Sequence, residues 1–222
     1  MTIRTYIPRR GRVSGRQASA IAENDDLLLP MSEEVLDLKA VYGNLPVILE
    51  IGFGTGSATV AMAAAQPELG ILAVDVHTPG LGDLLYRTRQ QGLTNIRAIA
   101  GDGLVVAHQM LAESALVGIR TFFPDPWPKT RHHKRRLVTM PNAALLASRT
   151  QVGGFWHLAT DWQPYAEHLQ RVLSASDQWI GGVIDRPADR PMTRYEATAI
   201  REQRTITDHW YVRTQHPARF TI

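Results

Sequence analysis

The 222-residue chain contains no cysteine, which excludes a disulfide framework, a thiolate nucleophile and any thiolate metal site. No apolar run approaches the roughly 20 residues that a membrane-spanning helix needs. The basic N-terminus is not followed by the apolar stretch of a secretory signal. A soluble cytoplasmic protein without membrane association is therefore expected. Internal repeats and long linkers are missing too. At 44% hydrophobic, the chain suffices for one well-formed core and is short for two.

Acids are missing from two particular stretches. The formal net charge is only +3, yet residues 1–22 carry Arg4, Arg9, Arg10, Arg12 and Arg16 with no acid, and residues 129–136 carry Lys129, Arg131, Lys134, Arg135 and Arg136 with none. Either run alone reads as a solvated face or a loose tail. Two in one small chain point to a polyanionic partner, with nucleic acid favoured over membrane.

Residues 1–22, poor in apolar side chains, read as a basic, mobile arm, and 23–222 as a single domain. Ser32, followed by Glu33 and Glu34, has the form of a helix N-cap and predicts a helix ending near Gly43. Apolar strands are then expected at 47–51, 70–75, 95–100, 119–123 and 154–160. Helices are expected between them, over about 57–66, 80–91, 103–112 and 137–149, with Pro164 opening another. Such alternation predicts βαβ units around a parallel sheet with helices on both faces. Two further strands, around 178–184 and 203–213, predict a C-terminal antiparallel hairpin. The expected architecture is thus an α/β, Rossmann-like, mostly parallel seven-stranded sheet in its methyltransferase version.

Parallel α/β sheets bind ligands at the carboxyl ends of their strands, and here each of the first four strands ends at or beside an acid: Glu50, Asp75, Asp102 and Asp125. In Glu50-Ile-Gly-Phe-Gly-Thr-Gly56, the glycines Gly52, Gly54 and Gly56 let backbone approach a ligand ahead of a helix N-terminus. Asp75 lies where an acid can hydrogen-bond ribose hydroxyls, and Asp102 where one can accept from an adenine amine. A nicotinamide dinucleotide would share the glycine turn and the ribose acid. Two features oppose it: the third glycine comes one residue early for a pyrophosphate turn, and Glu50 would repel a pyrophosphate while suiting the cationic end of S-adenosylmethionine.

The segment from Phe122 to Arg136, Phe-Phe-Pro-Asp-Pro-Trp-Pro-Lys-Thr-Arg-His-His-Lys-Arg-Arg, is stiffened by three prolines in five residues. It presents Asp125 and Trp127 at the sheet edge beside a basic run, as proteins do when holding an extruded base and its phosphates. The alternative for Trp127 is a core plug. Candidate RNA contacts are Trp127, Arg131, His132, Lys134, Arg135 and Arg136 in this loop, with Arg9, Arg10 and Arg12 in the arm. No spacing of His and acids suggests a metal.

The Pro-Asp-Pro-Trp-Pro-Lys box and its basic tail resemble the bacterial tRNA (guanine-N7)-methyltransferases. Leu49–Gly56 is similar to their cofactor loop, Val74–Gly80 to their second-strand signature, and Thr160-Asp-Trp162 to a later one. Arg190-Pro-Met-Thr-Arg-Tyr-Glu196 resembles their Thr-Lys-Phe-Glu box, with Arg-Tyr in place of Lys-Phe. Asp75 stands where the family usually has Glu. The resemblance implies S-adenosylmethionine-dependent methylation of N7 of a guanosine in the variable loop of tRNA, with no metal and no obligate protein partner. It also implies that Glu50, Asp75, Asp102 and Asp125 bind the cofactor, that Asp125 is catalytic, and that Lys129, Asp161, Thr193, Arg194, Tyr195 and Glu196 contact substrate. Two rivals remain open from the residues alone: methylation of a protein or small molecule, which leaves the basic runs unused, and a non-catalytic RNA-binding module, which leaves the strand-end acids unused.

Overall fold

A computed structural model describes residues 4–6 and 11–216. Its parallel strands are β1 (Leu28–Leu29), β2 (Val47–Ile51), β3 (Gly70–Asp75), β4 (Ile96–Ala100), β5 (Leu116–Phe122) and β6 (Thr150–Thr160). Every residue of β2 is buried, and β3 is buried through Val74. Strands covered on both faces need continuous apolar sequence, which is why these two are legible as unbroken runs. Two more strands, β7 (Trp179–Ile184) and β8 (Thr207–Arg213), complete an eight-stranded sheet of order β1-β4-β3-β2-β5-β6-β8-β7.

On one face, α1 (Gly15–Ala22), α3 (Ser57–Ala65) and α4 (Thr78–Gln90) pack through Ala20, Val60, Ala63, Leu81 and Leu84. On the other, α2 (Leu38–Tyr42), α5 (Gly103–Gln109), α6 (Met140–Arg149) and α7 (Gln163–Ser174) pack through Tyr42, Val106, Leu146 and Leu169. The strand order reverses at β2, with β3 and β4 on one side and β5 and β6 on the other. A crevice therefore opens where the carboxyl ends of β2 and β5 diverge.

The structure departs from expectation in several places. Residues 15–22, expected in a mobile arm, form α1, closed by a Ser14/Gln17 capping box and anchored by Arg16 to Asp83 of α4 at 2.6 Å. No helix starts at Ser32, whose hydroxyl accepts the Glu34 N–H. Leu36 N–H instead donates to Met110 O, tying the segment to the end of α5, and α2 begins after Asp37, which caps it. The sheet has an eighth strand because β1 pairs with β4; two residues carry no periodic signal. The C-terminal pair is antiparallel, β8 lying between β6 and β7. It is not a tight hairpin, because helix α8 (Arg194–Arg201) occupies the connection.

Candidate functional site

The loop after β2 runs through Gly52, Gly54 and Gly56, at φ 85°, 60° and 70°, a region where only glycine is unstrained. Asp75, at the end of β3, fixes this loop: one carboxylate oxygen accepts Gly54 N–H at 2.8 Å and the other accepts His77 N–H at 2.9 Å. Gly80 lets the first turn of α4 close on the loop, since a Cβ there would collide with Gly54 O. Gly52 and Gly54 line the crevice. Gly56 instead packs against Leu84 of α4, so its part is to seat the loop.

The crevice has two adjoining lobes, of about 130 and about 360 Å³. Ile51, Val74, Asp75, Asp102, Phe122, Phe123 and Asp125 border the first; Glu50, Thr55, Ser57, Thr193 and Arg194 border the second. Tyr195 borders both. Glu50 is buried, and its Oε1 accepts from Thr59 Oγ1 at 3.1 Å, while Oε2 has no hydrogen-bond partner. Burial pushes the Glu50 carboxyl from 4.5 up to about 7, against the pull of Arg120 and Thr59. Asp102 caps α5 by accepting Leu104 N–H at 2.9 Å. Burial raises its pKa as well, opposed by the N–H groups of Leu104 and Val105. All four strand-end acids thus meet around one crevice.

Beyond β5 the backbone enters the left-handed region at Phe123 (φ 53°) and again at Trp127 (φ 46°). Phe123 N–H donates to Ala159 O at 2.7 Å, which holds the turn and directs Phe123, Pro124 and Asp125 to the crevice. Trp127 does not present a free ring face. It is buried, its Nε1–H donates to Thr5 O at 3.0 Å, and its ring is covered by the Arg135 guanidinium at 4.9 Å and by His132 edge-on. The core-plug alternative therefore applies. Arg136 is no free RNA contact either: buried, it donates from Nε to Pro126 O at 3.0 Å and lies over the Tyr165 ring. A 3-10 turn, Thr130–Arg135, leaves Lys129, Arg131 and Lys134 exposed. Arg12 is also exposed, and Arg9 and Arg10 lie outside the described residues.

Helix α8 overhangs the second lobe. Thr193 and Glu196 form its capping box, and Glu196 is buried against Arg190, which donates to both carboxylate oxygens at 2.7 and 2.9 Å, and Arg186 at 2.6 Å. Arg190 reaches on to Asp208 of β8. Burial works to raise the Glu196 pKa, but the two arginines outweigh it and hold it low. Glu196 thus anchors α8, while Arg194 and Tyr195, its exposed neighbours, face the crevice. The Tyr195 ring runs nearly parallel to Phe123, centroids 6.4 Å apart. Asp161 pairs with Arg204 at 3.0 Å and borders neither lobe.

Sequence reasoning missed Thr5, Tyr6, His77 and Phe123, all of which line the crevice. His77 and Phe123 lie inside stretches whose motifs stood out; Thr5 and Tyr6 carry no local signal. Among the described residues no group of His, Asp and Glu could hold a metal ion, and no helix is long and apolar enough to cross a membrane.

Residues 44–209 match the family described as "Putative methyltransferase". The chain is 46% identical over 220 residues to the tRNA (guanine-N(7)-)-methyltransferase of Streptomyces avermitilis, covering 96% of this chain and 76% of that one. It is 47% identical over 204 residues to the enzyme of that name from Thiobacillus denitrificans, covering 90% of each. Its fold is similar to the crystal structure of SMU.1697c, a putative methyltransferase from Streptococcus mutans in complex with SAH, at a TM-score of 0.52 and 10% identity, covering 87% of this chain and 96% of that one.

Proposed function

The chain belongs to the family of the tRNA (guanine-N(7)-)-methyltransferases, and on that premise we propose that it methylates N7 of a guanosine in the variable loop of tRNA, in the cytoplasm, with S-adenosylmethionine as donor and without an obligate protein partner. The observation that carries this is Glu50, a residue bordering the crevice whose buried carboxyl has an oxygen without a hydrogen-bond partner. Such an oxygen suits the donor's ammonium and is the wrong group for a phosphate. A protein of the same fold binds SAH, which supports the choice of donor.

The remaining acids fit the same ligand. Each Asp75 oxygen accepts one backbone N–H and keeps lone pairs for the ribose hydroxyls. Asp102, already capping α5, has capacity left for an adenine amine between apolar walls from Ile51 and Val74. Bound here, S-adenosylmethionine supplies an electrophilic methyl group.

Guanine N7 carries an unprotonated lone pair at neutral pH, so the protein has no need of a strong base, and most of the acceleration comes from alignment. Methylation leaves the base positively charged. The Asp125 carboxylate at the crevice stabilises that charge as it develops. Tyr195 and Phe123 offer ring faces to the base, and Arg194, Lys129, Arg131 and Lys134 offer cations to phosphates. The test is transfer from labelled donor to tRNA followed by nucleoside analysis. N7-methylguanosine is the expected product; label in no nucleoside refutes the proposal.

A further inference from the structure

Glu50 and Arg120 occupy opposed register positions on β2 and β5, and both are buried. They form no ion pair. Arg120 is diverted to α3's end, its NH2 donating to Gln66 Oε1 at 2.6 Å, while Glu50 is diverted to Thr59 of the same helix. Each is left with one buried polar atom lacking a partner, Oε2 of Glu50 and NH1 of Arg120. Two opposite charges are therefore held side by side without touching.

We propose that Arg120 is a positioning residue for the cofactor, whose guanidinium favours the ionised form of the buried Glu50 carboxyl while leaving Oε2 unpartnered for the donor's ammonium. The inference rests on the placement of that ammonium at Glu50. A direct ion pair would consume the oxygen the ligand needs; a missing cation would leave a buried carboxyl protonated, and each binding event would first have to remove the proton. A charge one strand away satisfies both demands.

The surroundings leave this task to Arg120. From β3, Asp75 adds negative charge, which raises the Glu50 pKa, and α3 contributes only the Thr59 hydroxyl. Arg194 of α8 faces Glu50 across the open lobe. On its far side, Arg120 meets His157, its register partner on β6, which is hydrogen-bonded to Asp208, and feels the charge of Asp189. Among these cations only Arg120 is buried in the sheet beside Glu50.

The test follows the Glu50 carboxyl directly in ligand-free protein, by carbon-13 NMR of labelled glutamate with Glu50→Gln identifying the signal. In parallel, S-adenosylhomocysteine binding is measured by calorimetry across pH. In Arg120→Met the Glu50 titration should move up by roughly one to three pH units, as expected when a neighbouring opposite charge is lost. The pH at which affinity is gained should move with it, so that the loss of affinity is greater at neutral than at mildly alkaline pH. Arg120→Lys should restore both towards wild type. Should Arg120→Met not fold, Arg120→Gln takes its place. An unmoved titration, or an affinity loss equal at every pH, overturns the proposal. A Glu50→Gln protein that binds S-adenosylhomocysteine like wild type overturns the placement of the ammonium, and the proposal with it, whatever Arg120 does to the titration.

Discussion

Asp75 grips the backbone of Gly54 at 2.8 Å, tying the end of β3 to the glycine loop that follows β2. The carboxylate thus shapes the loop before any ligand arrives. Asp75→Ala should weaken S-adenosylhomocysteine binding by about 1–3 kcal/mol, as when a buried hydrogen-bonding partner is lost. Asp75→Asn, which can still accept one of the two N–H bonds, should lose less. Calorimetry on both variants reads the difference, and an unchanged dissociation constant in Asp75→Ala would remove this acid from the cofactor site.

Burial raises the Glu50 pKa from 4.5 to about 7, so near neutral pH the folded protein holds this carboxyl in both its neutral and its ionised form. Folding therefore holds a proton that the unfolded chain releases. The associated stability is complete below about 4.5 and is lost as pH rises through about 7. Glu50→Gln is exempt from that loss. Without ligand it should be more stable than wild type well above pH 7, by on the order of 3 kcal/mol, the gap closing as pH falls towards 4.5. Denaturant unfolding along this pH range checks the sign.

Trp127 should behave as a core residue. Trp127→Ala should cost about 3–5 kcal/mol of stability, and Trp127→Phe about 1 kcal/mol through the lost hydrogen bond to Thr5 O. Thermal or denaturant unfolding distinguishes this from a base-stacking role, in which activity would fall with stability intact.

The basic run should divide in two. Arg136→Ala should lose about 1.5–3 kcal/mol of stability with its hydrogen bond to Pro126 O. Alanine at Lys129, Arg131 or Lys134 should change stability by less than about 0.5 kcal/mol. Instead each should weaken tRNA binding and flatten its salt dependence, by about one released counterion for every phosphate no longer neutralised.

How far the sequence could be read depended on where each residue's partners lie. Strands β2 and β3 were visible because burial on both faces demands apolar runs, and their acids were visible because they stand at or beside the ends of those runs. The burial of Trp127 and Arg136 was not legible because Thr5, which accepts from the indole, and Tyr165, whose ring lies under the guanidinium, are far away in the chain. Glu196 looked like a substrate contact. Its capping box with Thr193 was local and readable, but the arginine bridge to Asp208 exists only after β8 has inserted between β6 and β7. Helix α8 itself was hidden by its predominantly polar sequence, which buries Glu196 and Ala199 but no large apolar side chain.

The most direct measurement is the transfer of labelled methyl to an unmodified tRNA transcript, with the modified nucleoside identified and its position mapped. Wild-type protein should place label in N7-methylguanosine at a variable-loop guanosine and lose transfer when that guanosine is replaced by adenosine. Asp125→Ala should be slower by at least about 10²-fold, as expected when a group stabilising developing charge is removed. Label at any other atom, transfer that ignores the replaced guanosine, or near-normal turnover in Asp125→Ala would contradict the account.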